Sequence, residues 1–459
     1  MTFKSILLIV FTVFNATAFS AEFILPKYQK VVLKNGLTIY LMEQHEVPLI
    51  DVYMVVKAGA TVDTKPGLAK VTAENLLLGT NNLSRSEFEQ KVEFVGTQID
   101  SGAAQEYSFI SASMAKADQN LIMPLLKDAL LAPAFNDNEF IAQKERLISN
   151  LERKKESPRA VIGGYFNALL FNNTPYANDV DGDPVSIEQM KLSDLRQFHK
   201  DWYTPDNTAI VVTGDFQTQE MVKVLTGLFG QWQGTHKEIA TTFTLTPPTR
   251  ANVLLVNKDD ATESTFMIGG LGIPRDNKDF VAISVVNTVL GGRFTSWLND
   301  ELRVNSGLTY GARSRFDTLS QGGSFAISTF TKTSTTLEAI DLALSTYARL
   351  WEKGIDLKTL ESAKSYVKGQ FPPRYETSRD LAMLLAEMFV YDFNEDYINT
   401  FAQQVNLLTP ERSRQIISQY FPKDHLQFVV IGKAELLKDQ LNRYGNVSQT
   451  DIKFDKSPK

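Results

Sequence analysis

Lys70, Ala73 and Glu74 fall at i, i+3 and i+4 of a segment that reads as a helix, from Gly67 to Thr80. Residues at that spacing share one helix face. Two imidazoles and a carboxylate there would hold a zinc ion and activate a water. An ammonium, a methyl group and a carboxylate do not, because zinc needs three deprotonated protein ligands. Lys70 and Glu74 form instead an i, i+4 pair of opposite sign, worth about 0.2–0.5 kcal/mol on an isolated helix. A catalytic lysine needs a depressed pKa and an adjacent nucleophile, and nothing in the segment supplies either. His45, His199, His236 and His425 are far apart, and none has another His at metal-ligand spacing. There is no cysteine, which excludes thiolate metal sites, disulfides and a lipoprotein anchor.

Pro66 is placed to open this helix and Gly79 to close it. Apolar residues at 68, 71, 76, 77 and 78 give it a buried side. The frame G-L-A-x-x-x-x-x-x-L-x-x-G-T resembles the pitrilysin/insulinase family of metallopeptidases, the inverzincins, whose H-x-x-E-H motif occupies these three positions. The second half of the chain carries Leu290-Gly291-Gly292-Arg293-Phe294-Thr295-Ser296-Trp297-Leu298, then Leu302-Arg303, then Gly307-Leu308-Thr309-Tyr310. This is similar to the family's L-G-G-x-x-S-R-L…L-R-x-x-x-G-L-x-Y stretch, with Trp297 departing from the usual Arg.

The resemblance spans about Lys30 to Gly445 and implies several site residues. A downstream Glu completes the family's zinc site. Counting back from Pro158 places that position on or beside Asn150, with Glu152 as the neighbouring carboxylate. The resemblance also implies that Arg303 and Tyr310 bind the substrate backbone and help stabilise an oxyanion. A guanidinium fork and a phenol are suited to donating to carbonyl oxygens. Ser101-Gly102-Ala103 resembles the edge strand that aligns an extended peptide.

A chain with the Arg/Tyr half and without the zinc half resembles one member of a two-chain peptidase. The expectation is therefore a pseudoenzyme with no catalytic residue for water activation and no cofactor of its own. A homologous partner in a heterodimer would bring the zinc, and the substrates would be unfolded peptides. The alternatives are a non-catalytic binding or scaffold protein of the same fold, and a stand-alone peptidase with an unorthodox metal site.

The elements that must position these residues are legible too. Val31 to Leu41 reads as a hairpin whose Asn35-Gly36 pair suits a type I′ turn, and Asp51 to Val56 as a strand. Helical patterns follow at 67–78, 84–95, 117–130 and 137–155. Three matches recur at nearly one offset: Gly214 with Gly432, Lys144 with Lys364, and Leu78-Gly79 with Leu290-Gly291. They predict a duplicated unit. The fold class expected is α+β, two homologous α/β half-domains forming a clamshell, each a mainly antiparallel sheet with helices packed on one face. The boundaries expected are 22–233 and 252–447, joined by a Thr- and Pro-rich linker at 234–251 and followed by a frayed polar tail at 448–459.

The 459 residues suffice for these units, and 43% hydrophobic with 22% charged residues is a globular composition. A net charge of −6 without a basic stripe gives no reason to expect nucleic acid. Lys4, the run Ile6 to Phe14 and Ala16-Thr17-Ala18 have the order of a cleaved export signal over residues 1–21. The expectation is a periplasmic mature chain beginning near Phe19 or Glu22, with no membrane span.

Overall fold

The computed structural model describes residues 23–237 and 243–452. The expected signal segment lies outside the described residues.

Two six-stranded mixed sheets form the frame. The first contains β1 (Gln29–Val32), β2 (Thr38–Glu43), β3 (Leu49–Val56), β4 (Gln98–Ala103), β5 (Ser108–Ala115) and β6 (Thr208–Gly214), in the order β1-β2-β6-β3-β5-β4. The second contains β7 (Asn252–Asn257), β8 (Glu263–Leu271), β9 (Arg313–Leu319), β10 (Gly322–Lys332), β11 (Gln427–Gly432) and β12 (Asn446–Asp451), in the order β12-β7-β11-β8-β10-β9. Five strands of each sheet correspond one to one. The parallel pair β2/β6 recurs as β7/β11, and the antiparallel run β6-β3-β5-β4 recurs as β11-β8-β10-β9. The central strands β6 and β11 are buried along their whole length, as strands covered on both faces must be.

The repeat extends to single side chains. Lys144 Nζ donates to the carbonyls of Glu188 (2.6 Å) and Met190 (3.2 Å). Lys364 Nζ donates to those of Asn406 (3.0 Å) and Leu408 (3.2 Å). In each half a lysine satisfies carbonyls left open at a helix end.

The first half opens with the helices α1 (Leu68–Asn75), α2 (Arg85–Phe94), α3 (Gln119–Leu131), α4 (Asp137–Lys154) and α5 (Pro158–Phe171), and the helices Pro184–Gln189, Leu192–Trp202 and Thr218–Phe229 follow. The first four coincide closely with the expected patterns. They cover one face of the first sheet, where Ile39, Leu41, Ile50, Val52 and Met54 meet Leu68, Val71, Leu126 and Phe140. The expectation of helices on a single face is incomplete. α5 crosses to the second sheet, and Val161, Ile162 and Phe166 pack against Leu254, Val256, Val429 and Ile431. The helix Ser378–Tyr391 crosses the other way and covers the second face of the first sheet, beside Tyr53, Val55 and Val211. Each half lends one helix to the other, and Thr213 Oγ1 donates to the Ser378 carbonyl (2.7 Å) at one such crossing.

Two local expectations are corrected. The Asn35-Gly36 turn is not type I′: Gly36 has φ +93° but Asn35 is not left-handed, and the loop runs over five residues between β1 and β2. The Asn35 side chain is used elsewhere, donating to the carbonyls of Phe229 and Trp232 (2.9 Å each). Of the tail expected to fray at 448–459, residues 448–451 instead complete β12, parallel to β7, Ile452 is buried beyond it, and 453–459 lie outside the described residues. β12 occupies the sheet edge that β1 fills in the first half.

Candidate functional site: a filled metal position and an exposed Arg/Tyr pair

Gly67 precedes α1, and its φ of +88° is left-handed. Asp63 caps it, its two carboxylate oxygens accepting from the amides of Gly67 (2.9 Å) and Ala69 (2.8 Å). A Cβ on Gly67 would stand 2.9 Å from the Gly182 Cα. Two backbones without side chains therefore touch here, and the contact brings Asp181 against Lys70.

The Lys70 ammonium lies 2.6 Å from Asp181 Oδ1 and 3.7 Å from Glu74 Oε1. Lys154, the last residue of α4, pairs with the other Asp181 oxygen. Gln143 Nε2 donates to Glu74 Oε2 (3.1 Å), and Asn75 donates in turn to Gln143 Oε1. Ala73 is fully buried. Lys70, Glu74, Gln143, Arg146, Asn150, Lys154 and Asp181 line a pocket of about 420 Å³. Burial lowers the Lys70 pKa, but the Asp181 carboxylate and then Glu74 outweigh it and hold the ammonium above its usual range. Such an ammonium is neither a general base nor a metal ligand.

The zinc of the wider family does not fit these residues. Asn150 lies on the pocket wall with Lys70 and Glu74, so the ligand position counted from Pro158 falls on an amide. Glu152 is not in the pocket; it is half-exposed and pairs with Lys155 (2.9 Å). The Glu74 carboxylate already accepts from Gln143 and faces a cation. Among the described residues no group of three or more His, Cys, Asp and Glu side chains could hold a metal ion. His45 lies between Asp215 (2.7 Å) and Glu43 (3.2 Å), and His236 beside Asp206 (3.0 Å). His199 is part-buried against the Leu130 carbonyl (2.8 Å), and desolvation lowers its pKa. His425 sits in a loop with φ +55°.

Arg303 and Tyr310 stand on a tight segment of the second half. A π-helical stretch, Asp300–Asn305, buries Leu302 and turns back at Gly307 (φ +65°). The amides of Leu308 (2.9 Å) and Thr309 (3.2 Å) both return to the Leu302 carbonyl. Arg303 therefore follows one anchor, Leu302, and Tyr310 follows another, buried Thr309. The Arg303 guanidinium lies over the Phe294 ring (4.4 Å) and makes no hydrogen bond or ion pair among the described residues. Tyr310 is 83% exposed, its ring stacks beside Phe330 (6.3 Å), and its hydroxyl has no partner among the described residues. Neither residue lines the Lys70 pocket.

Ser101, Gly102 and Ala103 lie on β4, at the edge of the first sheet and beside α1. Gly102 is buried against the Phe109 ring, where a Cβ would stand at 3.2 Å.

The sequence reading missed Asp181, Gln143 and Lys154, which complete the pocket, and Phe294 and Phe330, which support the pair. Asp181 precedes Gly182 in an acidic loop, but nothing in that loop announces its contact with α1.

Residues 39–183 match the family described as Insulinase (Peptidase family M16), and residues 189–367 match the Peptidase M16 inactive domain. The chain is similar to "Non-peptidase homolog YmxG" of Helicobacter pylori, at 25% identity over 86% of this chain and 91% of that one. It is also similar to "Zinc protease PqqE" of the same organism, at 25% identity over 87% and 92%. The crystal structure of a peptidase M16 inactive domain from Pseudomonas fluorescens superposes with a TM-score of 0.84 at 24% identity, covering 89% of this chain and 98% of that one. Two family matches in tandem, a shared fold and a degenerate motif in its expected place lead to one conclusion: the chain belongs to the M16 (pitrilysin/insulinase) peptidase family, as a member without the H-x-x-E-H constellation.

Proposed function

We propose that this chain is the non-zinc subunit of a periplasmic two-chain zinc peptidase. Arg303 and Tyr310 bind an unfolded peptide at a site that a homologous, zinc-bearing partner completes. The observation that carries this reading is the contrast between the two regions. The metal position is filled by its own ammonium, whereas the Arg/Tyr pair presents donors that no acceptor among the described residues receives. Arg303 grips a peptide carbonyl in the bound state, and Tyr310 donates to the oxygen that gains charge as the peptide bond is attacked. The β4 edge, with Ser101, Gly102 and Ala103, offers backbone groups to an extended chain.

A second reading is a scaffold of the same fold, favoured by the word "Non-peptidase" in the name of one relative. Purification of the native protein from its source, followed by identification of what accompanies it, separates the two. The first reading expects an intact H-x-x-E-H homologue in about equal amount and peptidase activity that chelators remove. Isolation alone, or with unrelated proteins and no activity, would favour the scaffold.

A further inference from the structure

Phe330 lies on β10, near the end of its ladder with β8, and Tyr310 stacks beside it. The same ring is met by a residue of the other half. The Arg159 guanidinium, from the first turn of α5, lies 3.3 Å from the Phe330 centroid. That is well inside the roughly 6 Å at which a guanidinium is held by a ring face. Arg159 also pairs with Glu263 on β8 (3.4 Å).

The corner that carries Arg159 is tied on both sides. α4 ends at Lys154, which is bound to Asp181 and so to the Lys70 pocket. Glu156, in the short turn before α5, pairs with Lys258 at the end of β7 (3.0 Å). Arg159 follows one residue after the Ser157–Pro158 step. Lys154, Glu156 and Arg159 thus lie on one short stretch of chain that meets Asp181 at one end and Phe330 at the other.

We infer that Phe330, held by Arg159 of the opposite half, is a positioning residue that fixes the Tyr310 ring before a substrate arrives. This rests on the reading of Tyr310 as a substrate-contacting donor. An exposed tyrosine without a support would have to be immobilised at each turnover, at a cost in binding or rate. A stacked ring removes that cost while leaving the hydroxyl open. The arrangement also gives the filled metal position a use: its ion pairs anchor the corner from which Arg159 reaches.

The test places 3-fluorotyrosine at position 310 of the purified chain and records its fluorine resonance. In the wild type the resonance should be broad and displaced by the Phe330 ring. Phe330→Leu should narrow it and move it toward the value of free fluorotyrosine. Arg159→Gln, a change at a half-exposed side chain, should shift it in the same direction, and Phe330→Tyr, which keeps the ring, should leave the wild-type signal in place. Circular dichroism checks that each variant folds. A resonance unchanged in both Phe330→Leu and Arg159→Gln overturns the inference. A parallel measurement keeps it distinct from the functional reading. With a zinc-bearing partner, Phe330→Leu should lower kcat about 2–10-fold with KM held, the range expected for losing an aromatic pair. If Tyr310→Phe lowers kcat but Phe330→Leu does not, the positioning role is refuted and the functional reading stands. If the fluorine signal responds but Tyr310→Phe leaves kcat unchanged, the ring support is real and the functional reading is what fails.

Discussion

The Lys70 ammonium stands 2.6 Å from Asp181 Oδ1, a partner 111 residues away, and farther, 3.7 Å, from Glu74 on its own helix. The charge that the sequence pairs within one helix is in fact shared with a loop, and that loop also takes Lys154. Asp181→Asn removes the centre of this cluster. It should cost about 1.5–3 kcal/mol, the range for hydrogen bonds to charged groups, read by urea unfolding at neutral pH.

The same pair sets an acid limit. Burial raises the Asp181 pKa, but the Lys154 and Lys70 ammoniums outweigh it and hold the carboxyl below the usual range. A carboxyl lower in the folded than in the unfolded state adds stability that is complete above its unfolded value, about 3.9. That stability is lost as pH falls through the folded value. Thermal unfolding between pH 7 and 3 should therefore show a shallower acid decline in Asp181→Asn than in the wild type. Parallel curves would mean that Asp181 does not contribute through its charge.

The metal position should be recoverable, because Lys70, Glu74 and Asn150 line one pocket. The wild type should retain no stoichiometric zinc through desalting. Lys70→His, Glu74→His and Asn150→Glu together should retain about one per chain, by elemental analysis, through three protein ligands. Peptidase activity should not follow, since Ala73 stays at the general-base position. If the triple variant binds no zinc while remaining folded, the register assigned to Asn150 is wrong.

Lys144 and Lys364 perform one task in the two halves, so their removal should be felt similarly. Each leaves two helix-end carbonyls without a donor. Lys364→Met and Lys144→Met should each cost about 1–3 kcal/mol, with Lys364 the costlier because its side chain is more deeply buried. Chemical denaturation of the two single variants checks this.

What the sequence makes legible follows from which forces act locally. The α1 frame and the Lys144/Lys364 repeat are readable because helix periodicity and duplication leave residues at fixed spacing. The Asn35-Gly36 pair misleads because Asn35 spends its amide on Phe229 and Trp232, nearly 200 residues on. The tail misleads because a polar segment is stabilised as β12 by pairing with β7, a contact that no local pattern encodes. Asp181 is invisible for the same reason: its place depends on Gly67 and Gly182 touching. The crossing of α5 and of the helix Ser378–Tyr391 is likewise a tertiary choice, since amphipathic faces do not specify which sheet they cover.

The most direct test of the central claim is the steady-state kinetics of Tyr310→Phe in this chain assembled with a zinc-bearing homologue, on an unfolded peptide. If Tyr310 donates mainly in the transition state, kcat should fall by about 10²–10³ with little change in KM, while Arg303→Ala should raise KM as well. Size-exclusion chromatography should show both variants still assembled. Assembly with wild-type kcat and KM in both variants would contradict the account and leave the Arg/Tyr pair a surface feature of a scaffold.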